Sequence, residues 1–305
     1  DEEGMFEGGR VHITSGQSTL GNSGEISIST ANGGSVSVIS GATDTSSSGA
    51  VNVATSSGPA SGALSLKTGS GDVASSGQIR LTTGDAIQTV GSIELRSGTT
   101  STSSASTISV VAGGSSAAAG GSVSLLAGQG QTSGGSVTVK GGVGKTQTGG
   151  GVTLLSGTST VSHSGSVSMK TGAGGSNGGS GSLNVGSGSG DTGVSGRIQF
   201  FSGVSSASNT GSINLKAGTS DQAIGGSILM SAGTSTSSTG GSISLVAGAA
   251  EASGTVGGAV NIKSGAATAG SSGSIEVAVG SATGTGGSIS VASGAASAGN
   301  SGRVS

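Results

Sequence analysis

Few residues in this chain belong to types that do chemistry, and their spacing assembles no reactive site. Gly141, Gly142, Val143, Gly144, Lys145 and Thr146 end like a phosphate-binding loop, in which backbone amides and a lysine cradle phosphates at a helix start. That pattern needs a glycine five residues before Gly144, where Val139 stands, and the segment that follows alternates like a strand. Asp72 and Asp191 each end a Gly-Ser-Gly-Asp string, a fragment of a calcium-binding nonapeptide. The two copies are far apart and lack the tandem period, so they read as turn aspartates. His12 and His163 have no second histidine at ligand spacing and read as solvated surface residues. Glu94 and Glu276 make a poor pair for cleaving a polysaccharide, which needs clustered carboxylates, and no Ser-His-Asp arrangement stands out. The expectation is therefore no catalytic, cofactor-binding or metal-ligating residue, no cofactor, and a protein that is not an enzyme.

Hydroxyls are the one abundant functional group. None of the nine asparagines has Ser or Thr two residues on, which excludes N-glycosylation. Ser/Thr runs such as Thr99, Thr100, Ser101 and Thr102 are candidate O-glycan acceptors, although Pro, frequent in mucin-like stalks, occurs only at Pro59.

The composition limits what could position any of these groups. Of 305 residues 67 are Gly, Ser and Thr make up about a third, aromatics are 1% and charged residues 8%, so a thick globular core cannot be built. A net charge of -2 with no polybasic face and few aromatics argues against a nucleic-acid partner. No apolar run is long enough for a membrane span. With no Cys there is no disulfide framework to report on the redox compartment.

Regular spacing of Val, Ile and Leu separates the chain from a Gly/Ser linker. One unit recurs nearly everywhere: Gly, usually Ser, aliphatic, polar, aliphatic, variable, small, Gly. Good copies are 121–128 and 241–248. From Gly9 to Gly302 thirteen of the twenty spacings between unit starts are fifteen residues, a register that a random tract would not hold. The aliphatics sit two apart, as in Val123 and Leu125 or Ile213 and Leu215, which is the period of a strand. The next same-face position is small (Ala127, Ala217, Ser156, Thr171), and the connecting stretches are turn-like.

These features predict an all-β architecture, a β-solenoid of about fifteen-residue repeats with two repeats per coil and two facing parallel sheets. Matches two units apart support it: Asn184 with Asn214, Lys140 with Lys170, Leu126 with Leu155, and Lys67 with Arg96. One repeat per coil and an antiparallel meander are the alternatives. In any of them Leu125 faces inward, where Asp would be costly, and Ser124 faces outward. Residues 1–8 form an acidic segment that departs from the repeat, and 9–305 form one continuous array.

Outward positions carry Leu126, Leu155, Phe201 and Val246 among polar residues, which points to lateral contact with another protomer. At the ends, Met5 and Phe6 lie among four acidic residues, and the unit at Val304 lacks its second aliphatic. The amino-terminal segment, as a cap or plug, is expected to dock on that open end of the next protomer and so propagate a filament.

The Gly-Gly-Ser-Ile/Val-Ser-Leu/Val block, as at 120–128, 225–233 and 286–294, resembles Gly/Ser-rich tandem-repeat proteins of diatoms and other heterokont algae. The resemblance implies a secreted cell-surface or appendage component and supplies no catalytic residue. The expected function is thus structural: a self-associating, homo-oligomeric subunit of an extracellular filament, cell-surface fibre or surface layer. A solenoid adhesin recognising glycan or ice is the alternative, although the Thr-x-Thr face that ice binding needs is missing.

Overall fold

Each repeat joins a run of alternating aliphatic and polar residues to a stretch of Gly, Ser and Thr, and the two halves fold differently. In a computed structural model, residues 9–19, 23–43, 47–73, 75–297 and 299–305 are described. Backbone bends fall in the Gly/Ser/Thr stretches, for example at 116–118, 206–208 and 236–238, while the aliphatic runs carry none. We call the runs arms and the stretches loops. Glu94 and Arg96, two apart on one arm, form an ion pair at 2.7 Å, as side chains on one side of an extended backbone do.

A single backbone hydrogen bond closes ten of the loops. The residues 1–153 and 154–305 form two units, each built from the same repeat. In the first, Gly24 donates to Gly16 at 3.1 Å, Gly121 to Gly113 at 2.8 Å, and Gly135 to Gly128 and Gly150 to Gly142 at 2.9 Å. In the second, Gly165 donates to Gly157 and Gly241 to Gly233 at 2.9 Å, and Gly226 to Gly218 and Gly273 to Gly265 at 3.0 Å. Each donor is the first Gly of an arm, and each acceptor is the Gly that ends the previous arm. The loops between are compact with their ends close together, as in Ω-loops.

Shorter and longer connections use tighter turns. Where the unit spacing contracts, between Gly24 and Gly34, Asn32 and Gly33 take φ of 51° and 80°, and the Gly34 amide bonds Ala31 at 3.2 Å. Positive φ at both central residues is the signature of a type I′ turn, and Asn-Gly is its preferred pair. Where the loop lengthens, between Gly248 and Gly258, Gly254 has φ of 78° and the Thr255 amide bonds Ala252 at 3.2 Å. This turn with positive φ only at its third residue absorbs the added length.

The expected β-solenoid does not form. Among the described residues there is no helix and no β-strand, and no backbone hydrogen bond joins arms one or two coils apart. Consecutive arms hydrogen-bond at the loop mouth, but no ladder extends from it, so neither facing parallel sheets nor a meander results. Two aliphatic side chains per unit do not offset the conformational entropy of ordering a backbone this rich in Gly.

No core forms either. No described residue is buried, and Leu125, expected to face inward, is 75% exposed. The accessible surface of the chain is 30051 Å². A compact monomer of 27.6 kDa exposes about 11,000 Å² and an unfolded chain of that mass about 40,000 Å². The conformation is local order at loop mouths on a chain that leaves its arms in solvent. No helix among the described residues is long and apolar enough to cross a membrane.

Candidate functional site: exposed arms and closed loops

The best-protected positions in the chain mark how the loop mouth is built. Ser15, Ser40, Ser97, Ala112, Gly141, Ser156, Ala217, Ala232 and Ala247 are half-buried, and each directly precedes the Gly that ends an arm. Apart from Ser97, whose next arm begins at Ser106, what lies against them is the first Gly of the next arm. A Cβ placed on Gly226 would stand 3.1 Å from the Ala217 Cβ, one on Gly121 3.3 Å from that of Ala112, and one on Gly241 3.4 Å from that of Ala232. A small residue on one side and Gly on the other let the backbones approach to hydrogen-bond distance. Smallness at that position, read from the sequence as a packing feature of a sheet, serves the loop closure instead.

In many loops the second position after the closing Gly organises the turn. At five of them a Ser there accepts from a backbone amide three residues on. Ser115 accepts from Ala118 at 3.0 Å, Ser159 from Ser162 at 2.9 Å, Ser205 from Ser208 at 3.1 Å, Ser220 from Ala223 at 3.0 Å and Ser235 from Ser238 at 2.9 Å. These are side-chain-capped turns, which Ser and Thr favour outside regular structure. Where the position is Gly130, Gly144 or Gly174, the backbone of the loop's far limb comes so close that a Cβ would collide with the carbonyl of Ser133, Gln147 or Gly178. The sequence reading missed this distinction, although the recurrence of Ser, Thr or Gly two residues after many of the arms was its visible signal.

No protein-family model, curated protein or solved structure matches the chain.

The phosphate-loop-like string 141–146 belongs to one of these closed loops: Gly150 donates to Gly142 around it, and no helix follows. Asp72, Asp191, His12 and His163 are not gathered into any group of three or more metal-ligating side chains among the described residues. Of the candidate O-glycan acceptors, Thr100 is engaged within its loop, with Oγ1 3.2 Å from the Ser103 hydroxyl and accepting from the Thr102 amide at 3.4 Å. Thr99, Ser101 and Thr102 are exposed beside it.

The candidate assembly residues lie in the open. Exposure climbs along an arm from 53% at Val123 through 75% at Leu125 to 88% at Leu126. Leu155, Phe201 and Val246 match Leu126, and Val304 is also exposed. Met5 and Phe6 lie outside the described residues. The outward positions were expected to be apolar exceptions on a covered fold. In the structure the aliphatics expected inward are exposed as well, so the arms that carry Leu126, Leu155, Phe201 and Val246 present apolar surface on both sides.

Proposed function

We propose that the chain is a structural protein of an extracellular filament, cell-surface fibre or surface layer, and that it works by lateral self-association of its arms. The observation that carries this reading is the exposure of the aliphatic pair in unit after unit, Ile26 and Ile28, Ile93 and Leu95, Val123 and Leu125, Ile213 and Leu215, Ile275 and Val277. Apolar surface repeated along a whole chain is far beyond the few hundred Å² that a soluble monomer leaves exposed, and surface of that extent marks an interaction face. The resemblance of the Gly-Gly-Ser block to the Gly/Ser-rich repeat proteins of heterokont algae supports the extracellular placement. Exposed loop hydroxyls such as Thr99, Ser101 and Thr102 would then serve as O-glycan acceptors, solvating the assembly between its contacts.

The test is sedimentation velocity of the purified chain over a concentration series, followed by electron microscopy of what sediments. Extended assemblies that grow with concentration are expected. A single monomeric species at every concentration overturns the reading.

A further inference from the structure

We infer that the partner of the arms is a second copy of this chain, bound at any register that differs by whole repeats. This rests on the self-association proposed above and adds the rule by which copies align. Three features carry it. The units are alike: Gly, Ser, aliphatic, polar, aliphatic recurs at 121–125, 211–215 and 241–245, so a shift by whole units sets an arm against another arm of the same pattern. Very little overlap is needed. With 30051 Å² over 305 residues each residue exposes about 99 Å². A stable interface takes roughly 800 Å² from each partner, which covering half of one repeat's surface supplies. Charge does not select a register either, because the net charge is -2 and charged residues are 8% of the chain. Charges of both signs are scattered, with Lys67, Lys140, Lys170, Lys216 and Lys263 but also Glu25, Glu94 and Glu276 on arms, and Asp72, Asp191 and Asp221 but also Lys145 in loops, so no long block of one sign opposes sliding by whole units. Copies overlapping by different numbers of repeats leave free arms at both ends, and assemblies lengthen by staggered addition.

The natural chain lacks cysteine, so single introduced cysteines report the register without ambiguity. S124C and S244C place a thiol between the aliphatics of two arms eight units apart, and T236C places one in a loop. Full-length variants are mixed in pairs, assembled, cross-linked with a short bismaleimide and read by peptide mass spectrometry, with a urea-dissociated sample as background. The expected result is that 124–124, 244–244 and 124–244 cross-links form in comparable yield, within about threefold, while arm-to-loop cross-links to 236 are several-fold weaker. Same-site links (124–124 and 244–244) far exceeding 124–244, or the reverse, mean a fixed register and overturn the inference. Arm-to-loop yields equal to arm-to-arm yields mean indiscriminate collapse and also overturn it. If no sample cross-links above the urea background, the self-association reading fails with it, an outcome separate from assembly in one fixed register.

Discussion

Ala217 and Gly226 meet at the mouth of one loop, where a Cβ on residue 226 would stand 3.1 Å from that of Ala217 while the Gly226 amide donates to Gly218 at 3.0 Å. The pair shows how this chain is ordered. Closure depends on two backbones approaching, and the residues on either side are small enough to permit it.

Enlarging one side should open that loop alone. A217V is expected to speed hydrogen exchange of the Gly226 amide by about two- to twelvefold, the range corresponding to one exposed hydrogen bond. The Gly241 amide, in the next loop, serves as the internal control and should be unchanged. Equal acceleration at both amides, or at neither, contradicts an independent closure.

Within a loop, the serine two residues after the closing Gly should matter and its neighbours should not. S235A removes the acceptor of the Ser238 amide. It should raise the temperature coefficient of that amide in NMR toward the random-coil value, a local loss of about 0.5–1.5 kcal/mol. T236A should leave it unchanged.

The tight turn at Asn32 and Gly33 depends on conformational freedom at Gly33, whose φ is 80°. G33V puts a β-branched residue in the left-handed region, at a cost of about 1–2 kcal/mol. The Gly34 amide should then lose its bond to Ala31 and exchange freely, without effect on the eight-residue-spaced loops downstream.

Leu125 discriminates between a folded core and an assembling surface. Because it is 75% exposed, L125D should leave the circular dichroism and hydrodynamic radius of the dissociated chain unchanged, and that spectrum should lack the β-sheet band. In assembly the single change should raise the critical concentration by less than about threefold, since other units can take the place of this one. Four such changes, L125D, L215D, L245D and I262D, should raise it by more than about tenfold, equivalent to 1.4 kcal/mol. Unfolding by L125D alone points instead to a buried arm.

With no buried residue among those described, heating the dissociated chain should give no cooperative endotherm. A sharp calorimetric transition requires a core, and the described residues form none.

What the sequence made legible is local. The fifteen-residue spacing, the aliphatic alternation from Val123 to Leu125, the small residue at Ala217 and the turn character of Thr234 to Gly240 all involve residues close in the chain, and each has its counterpart in the arms and loops. The type I′ turn went unread, although Asn32-Gly33 between alternating aliphatics is a short-range signal for it. The serine caps were written in the spacing but hidden by the abundance of Ser, which made Ser235 indistinguishable from Ser237 until its hydrogen bond to Ser238 was seen.

Stacking was not legible. Matches such as Asn184 with Asn214 or Lys140 with Lys170 suggested coils, yet whether arms thirty residues apart pair depends on a balance between distant parts of the chain. Apolar periodicity shows which side of an arm could be buried. It does not show whether two aliphatics per unit outweigh the entropy of ordering the Gly and Ser between them. In the structure they do not: many loop mouths close, because their ends are only eight or so residues apart and small enough to touch, and the arms stay open, because none of the described residues is buried.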